Sequence, residues 1–256
     1  MIPASDTNEV SVGGATAGTF FGISLEDSAH IMTLLRDTLY TDKVLAVLRE
    51  YGSNAWDANK AAGRGDIPIQ VSLPTKNSLE LVIRDFGPGM TEQEVMGVYT
   101  QYGASTKRSS NESVGMFGIG AKSAFAYTSS FTITSWVDGK RSVYVASLDS
   151  TNKGVLHKLL EEASVEQSGV EIRIPVEQDD IMNFQDTAKD LFCFFSPQPK
   201  INITLPVLKD NAEVVDSGFI LRKSRPNFRN MGIVVVMGCI PYKVDYSKIR
   251  DLVPDL

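Results

Sequence analysis

The 256-residue sequence has no run of about 18 apolar residues, the length a membrane-crossing helix needs, and Met1 to Gly22 lacks the basic-then-apolar order of a secretory signal. An integral membrane segment is not expected, and the chain reads as cytosolic. There are only two cysteines, Cys193 and Cys239, and neither has a partner at metal-ligand spacing, so both should be small buried thiols in a reducing compartment. Histidine is equally scarce. His30 is followed by Ile31-Met32-Thr33 rather than by an acidic residue and Arg, which argues against a phosphoacceptor, and among its apolar neighbours it reads as packed. Basic charge is in deficit: 25 Lys and Arg stand against 31 Asp and Glu, a net charge of −6. That balance excludes a protein built to neutralise a long phosphate backbone, so no nucleic-acid partner is expected; a small polyphosphate remains compatible with it.

What is present is an ordinary globular composition, 43% apolar and 22% charged, long enough for one large domain or one and a half. Two helical patterns come first, Leu25 to Leu39 and Asp42 to Ala62, the second introduced by Thr41 as a cap and stopped by Gly63. The period then changes to that of strands at Ile67 to Leu73 and Leu79 to Arg84. A Gly-rich and Ser/Thr-rich stretch follows to Gly120, mostly loop, with a short helix at Thr91 to Tyr99. After a helical Ala121 to Tyr127, strands are expected at Ser130–Val137, Arg141–Leu148, Gly154–Leu160 and Val170–Pro175, with Asp138-Gly139 as a hairpin turn. A helix over Asp179 to Phe195 and a strand at Ile201 to Leu205 close the pattern, and Ile233 to Met237 reads as a buried strand. Helices followed by hairpin-ordered strands predict an α+β two-layer sandwich, an antiparallel or mixed sheet with helices on one face. The expected units are an arm at 1–23, a main domain at 24–207 and the start of a second, transducer-like unit at 208–256.

On the second helix, Val44, Leu48, Tyr51, Ala55 and Ala58 form an apolar face at 100° per residue. Glu50, Asn54 and Asp57 stack on another, roughly 110° round. By itself that row reads first as a solvated face; covered from water, it could act as base, metal ligand and acceptor together.

The neighbouring segments supply reasons for such a cover. Leu79 to Arg84 runs into Asp85-Phe86-Gly87-Pro88-Gly89-Met90, which sets a carboxylate at a sheet rim and lets backbone approach a flat ligand. A carboxylate needs a donor opposite it and so selects an exocyclic amine, adenine over guanine. Downstream stand Ser105-Thr106-Lys107 and Gly115-Met116-Phe117-Gly118-Ile119-Gly120-Ala121-Lys122. Glycines ahead of a helix offer free N–H groups and a positive helix end to phosphates. The order G-x-x-G-x-G is not the dinucleotide G-x-G-x-x-G, and no G-x-x-x-x-G-K-[ST] occurs, so Rossmann and P-loop folds are excluded. Lys122, just inside a helix start, works against the dipole unless an anion lies nearby; it is either a phosphate contact or a solvated lysine.

Taken in order, Glu50-x-x-x-Asn54-x-x-Asp57-Ala58, Asp85-x-Gly87-x-Gly89-Met90 and Gly115-x-x-Gly118-x-Gly120 resemble the three nucleotide boxes of the GHKL superfamily, which includes gyrase, the ninety-kilodalton heat-shock chaperone, histidine kinases and MutL. The resemblance spans about residues 24–207 and implies the Bergerat ATP-binding fold with ATP and Mg²⁺ as cofactors. It implies Glu50 as the general base, Asn54 as the Mg²⁺ ligand, Asp57 as an acidic group near the nucleotide and Asp85 as the receiver of the adenine amine. Gly87, Gly89 and Met90 would shape the adenine pocket. Gly115, Phe117, Gly118 and Gly120 would form a lid hinge over the phosphates, with Ser105, Thr106, Lys107 and Lys122 beside it. The lid would span about Tyr99 to Gly118. Where such proteins commonly carry Thr after the glycine of the late strand, Val170 stands here, so the hydroxyl beside Asp85 would have to come from Thr132, Thr134 or another neighbour.

The runs Arg84 to Met90, Phe117 to Ser123 and Gly169 to Ile172 further resemble the RIIA family of tailed phages, protectors from prophage-induced early lysis. This implies a site in the host cytoplasm or peripheral to its membrane, and a role in lysis inhibition or exclusion. Partners implied by the two resemblances are ATP and ADP, a second copy of the chain on ATP binding, and a phage or host protein. The expected activity is slow ATP hydrolysis coupled to lid closure. The alternatives are a nucleotide-binding switch without turnover and the ATPase domain of a chaperone-like or MutL-like protein.

Overall fold

The computed structural model describes residues 41–100, 120–208, 212–215, 220–222 and 234–244. Helix α1 (Lys43–Ala61) begins at Asp42, whose carboxylate accepts from Leu45 N at 2.9 Å; Asp42 is therefore the cap rather than Thr41. It ends in a Schellman turn. Gly63, at φ +69°, donates to Lys60 O, and Arg64 N reaches back to Asn59 O at 2.8 Å. Helix α2 (Glu92–Thr100) opens with a capping box in which Thr91 and Glu94 satisfy each other's backbone N–H.

Seven strands form one sheet: β1 (Gln70–Ser72), β2 (Glu80–Arg84), β3 (Ser130–Val137), β4 (Lys140–Leu148), β5 (Gly154–Ala163), β6 (Gly169–Pro175) and β7 (Lys200–Ile201). Their order is β5-β4-β3-β6-β2-β1-β7, antiparallel throughout except for the parallel pair β1·β7. The β3–β4 turn has both Asp138 (φ 51°) and Gly139 (φ 71°) left-handed, as the D-G dipeptide predicts. The helix expected over 121–127 is instead a 3-10 turn, Gly120–Lys122, followed by the single-turn α3 (Ala124–Tyr127). Helix α4 (Ile181–Phe192) turns Phe184, Ala188, Leu191 and Phe192 inward.

The core lies between one sheet face and α1 and α4. Val44, Leu48, Tyr51 and Ala55 of α1 meet Leu81 and Ile83 of β2, Phe131 and Ile133 of β3, and Ile172 and Ile174 of β6. The architecture is thus the two-layer α+β sandwich expected, with a mixed sheet. Its other face carries Arg84, 6% exposed, with its guanidinium 3.7 Å from the centre of the Trp136 ring.

After β7 two further hairpins are described, β8 (Ala212–Val215) with β9 (Ile220–Arg222), and β10 (Val234–Met237) with β11 (Ile240–Lys243). The expected buried strand at Ile233 to Met237 is corrected for its last three residues: Val235, Val236 and Met237 are exposed, while Cys239 and Ile240, at the turn, join the main core; Ile233 lies outside the described residues. An apolar run marks a strand but does not say which residues find a partner. Both cysteines are buried thiols, as expected. The predicted helix at 25–39, with His30, lies outside the described residues.

Candidate functional site

The capped and stopped α1 holds Glu50, Asn54 and Asp57 in register beside the sheet. Asp57 is 6% exposed, and Glu50 and Asn54 are half-buried, so the row is not a solvated face. At the Glu50 end, Arg49 donates to Glu50 Oε1 from Nη2 at 2.9 Å and from Nε at 3.3 Å. A Cβ at Gly120 would collide with Glu50 Oε2, so the carboxylate keeps this position against the Gly120 backbone only while residue 120 has no side chain. Tyr51 ties the next residue down, its hydroxyl donating to Ala121 O at 2.7 Å. The sequence-predicted pair Glu50 and Gly120 is therefore brought together.

The Asp85 end is fixed differently. Asp85 caps β2 at 6% exposure, and its Oδ1 accepts from Gly87 N at 2.8 Å and from Val170 N at 3.0 Å. Those two bonds set the carboxylate plane. A Cβ at Gly87 would stand 2.7 Å from that of Ala58 on α1, and at Gly89 (φ +80°) it would run into Trp136 O; the loop must be glycine at both places to lie this close. Met90 is tied at both backbone ends to Ser135 Oγ, at 2.8 Å and 2.7 Å. Tyr99, at the end of α2, has its phenol pushed up by burial first and by the charge of Asp85 second.

Two expectations about hydroxyls and one about a lysine change. Strand alternation sends Phe131, Ile133 and Ser135 to the core face, so Thr132 and Thr134 point to the other side of the sheet, away from Asp85. Val170 serves Asp85 through its backbone N–H. Lys122 is not solvated: it is 1% exposed, and Nζ donates to Val98 O at 2.8 Å, in the last turn of α2 where carbonyls lack intrahelical donors. Burial lowers its pKa to about 8.

Residues the motifs did not single out hold the Asp85 loop. Asn59 Oδ1 accepts from Phe86 N at 2.6 Å while its amide donates to Ile67 O at 2.8 Å. Arg64 Nη1 donates to Phe86 O at 2.6 Å and to Ser168 Oγ at 3.0 Å. The readable signal was Gly63: a helix stop fixes where the next residue's side chain starts. The turn of β10–β11 also reaches the helix, for burial and then the negative charge of Asp57 push the Cys239 thiol up to about 12.

Ser105, Thr106, Lys107, Gly115, Phe117 and Gly118 lie outside the described residues. Among the described residues no cluster of three His, Cys, Asp or Glu could hold a metal, and no helix is long and apolar enough to cross a membrane. Two open cavities, of about 370 and 810 Å³, lie on the helix-free face around Arg84, Glu171 and Arg173; neither touches Glu50, Asn54, Asp57 or Asp85.

A buried strand-end carboxylate, two glycine-backed walls and a polar helix row between them coincide with a match of residues 42–179 to the family described as histidine kinase-, DNA gyrase B-, and HSP90-like ATPase. The chain belongs to this ATPase family. Chaperone protein HtpG from Alkaliphilus metalliredigens is 30% identical over 139 residues, 46% of this chain and 22% of the relative. HtpG from Clostridium acetobutylicum is 28% identical over 173 residues, 59% of this chain and 27% of the relative. That from Halalkalibacterium halodurans is 27% identical over 187 residues, 65% and 28% respectively. The match thus spans between a fifth and three tenths of these relatives' length. All three are named as chaperones, and none of those names speaks of phage lysis.

Proposed function

We propose that the chain binds Mg·ATP between α1 and the loops at Asp85 and Gly120 and hydrolyses it slowly. The observation that carries this reading is the orientation of Asp85. A buried carboxylate with one oxygen pinned by two backbone N–H groups is preorganised to accept a donor, and the adenine amine is one. Glu50, beside Gly120, lies eight residues from Ala58, beside Gly87, about 12 Å along the helix axis, so the two loops stand apart by a length comparable to a nucleoside triphosphate.

In this reading Gly87, Gly89 and Met90 face the base, while Gly120 and the downstream helix turn face phosphate. Lys107, Ser105, Thr106, Gly115, Phe117 and Gly118 belong to the lid. Lys122 supports the lid's far end through Val98, and it gains a phosphate contact if the turn opens. A single amide oxygen at Asn54 suits Mg²⁺, which keeps waters and takes phosphate oxygens as its other ligands. When bound, the ion neutralises phosphate charge. Glu50 then acts as the base that takes a proton from water beside Gly120.

Calorimetric titration with a non-hydrolysable ATP analogue, with and without Mg²⁺, tests the binding. Phosphate release from the same sample tests turnover. Binding without turnover would favour the second reading, a nucleotide switch, for which the Arg49 guanidinium on Glu50 Oε1 speaks: that oxygen already accepts from a donor, leaving only Oε2 to face a water.

Beyond the domain, the same reading takes the chain as a nucleotide unit that closes on a second copy of itself and signals to a partner protein, with residues 208–256 opening a further unit; the likeness to proteins named as chaperones supports the nucleotide unit alone. A role in lysis timing rests on the three short RIIA-like runs alone, and no feature of the fold adds to it.

A further inference from the structure

The nucleotide reading assigns Asp85 to the base, yet it leaves open what holds the loop that carries Asp85. We infer that Arg64 and Ser168 form a clamp that positions this loop and so sets selectivity for the 6-amine of the base; the inference rests on the nucleotide reading above. Arg64 is the residue after the helix-stopping Gly63, and its backbone N–H is committed to Asn59 O. That bond fixes the root of its side chain. From there Nη1 reaches the carbonyl of Phe86 at 2.6 Å and that of Gly87 at 3.4 Å. The same nitrogen donates to Ser168 Oγ at 3.0 Å, and Ser168 in turn donates to Gly87 O at 2.9 Å.

The result is a closed set of bonds joining three separated pieces of chain: the end of α1, the loop after β2 and the residue before β6. Asp85 sits inside it, because its Oδ1 is held by Gly87 N on one side and by Val170 N on the other. The clamp therefore holds the Phe86–Gly87 peptide, whose N–H aims the carboxylate, and anchors the chain two residues ahead of the second such group, Val170 N. A hydroxyl at 170 is absent here, so the polar restraint from this side of the sheet comes from Ser168, two residues earlier. The guanidinium suits the task because its plane fixes the direction of the Nη1 hydrogens that serve these acceptors, where a lysine ammonium turns freely on its stem. Arg64 and Ser168 are positioning residues: they act on the base through Asp85.

The test compares ATP with purine riboside triphosphate, which lacks the 6-amine, by equilibrium binding to the full 256-residue chain. The variants are Arg64→Ala, Arg64→Lys, Ser168→Ala and Ser168→Thr, and nucleotide-free melting is recorded for each. The expected result is an ATP Kd raised about tenfold in Arg64→Ala, or about 1.4 kcal/mol, and about threefold in Ser168→Ala. The preference for ATP over the analogue should shrink in both, since a loosened carboxylate loses discrimination more than bulk affinity. Ser168→Thr, which keeps the hydroxyl, should restore both values, and Arg64→Lys should restore them only in part.

Unchanged selectivity in Arg64→Ala and Ser168→Ala would overturn the clamp. So would a loss that tracks the nucleotide-free melting temperature and is not restored by Ser168→Thr, since that marks a merely structural role. A wild-type chain that binds neither nucleotide would instead overturn the nucleotide reading itself. The two failures are thereby told apart.

Discussion

The two ends of α1 are built on different principles. At the Asp85 end nearly every restraint is a hydrogen bond to backbone: Asn59, Arg64, Ser168 and Ser135 each hold a peptide group of residues 86–90, and the carboxylate itself is held by Gly87 N and Val170 N. At the Glu50 end the carboxylate is paired with a side chain instead, the Arg49 guanidinium, and the neighbouring backbone is tethered at single carbonyls by Tyr51 and Lys122. Recognition of a flat base needs a wall that does not yield, since discrimination is lost when unpaired groups can relax. Turnover needs groups that can be released as a loop orders over the phosphates. The contrast suits a site that grips one end of its ligand and works on the other.

The strongest way to break the contrast is Gly89→Ala. Its left-handed backbone and the proximity of Trp136 O leave no room for a methyl, so ATP binding should be lost and the melting transition should fall by an amount typical of severe core changes, at least about 3 kcal/mol. Calorimetry and thermal melting read both. At the opposite end, Glu50→Ala should cut phosphate release by about a hundredfold or more while ATP still binds, the range for removing a general base. Unchanged steady-state hydrolysis would remove Glu50 from that role.

Asn59→Ala should cost about 2 kcal/mol, because Phe86 N and Ile67 O both lose their partner in a buried place. The loss should appear in ATP affinity and in stability together, which distinguishes it from a change at Glu50. A pH-dependent effect concerns Lys122. Its folded pKa, about 8, lies below the ordinary lysine value of 10.5, so the unfolded chain binds more protons between the two. The cost of burying the charge is fully present below pH 8 and is relieved as pH rises toward 10.5; stability from this group therefore increases across that window. Lys122→Met should flatten this rise relative to wild type in melts from pH 7.5 to 10, and an unchanged slope would show that the ammonium is not buried.

Much of this was legible before the fold was known. Asp138-Gly139 marked its hairpin, Gly63 its helix stop, and the period-2 runs marked β3, β4 and β6, because each rests on local sterics or on alternation that one strand carries by itself. The boundaries slipped where two local signals compete, as at Thr41 and Asp42 for the cap of α1. The exposed β10 strand was misread for another reason: Val234 to Met237 is apolar, but burial depends on what packs against it, which no local pattern records. The same limit applies to Lys122. Its position against the dipole was readable; the Val98 carbonyl that resolves it lies 24 residues away in sequence.

The sequence by itself determined that Glu50, Asn54 and Asp57 share one helix face, since 3.6 residues per turn allows nothing else, and that glycines would stand where backbone must come close. Only the tertiary structure decided which hydroxyl serves which group. Sheet pairing turned Thr132 and Thr134 away and brought Ser135 to Met90 and Ser168 to Gly87. It also decided that Asn59 and Arg64, unremarkable in sequence, hold the loop that carries Asp85. Bonds between residues more than a hundred positions apart, as between Arg64 and Ser168, depend on the order in which strands pair, and strand order is a property of the whole chain.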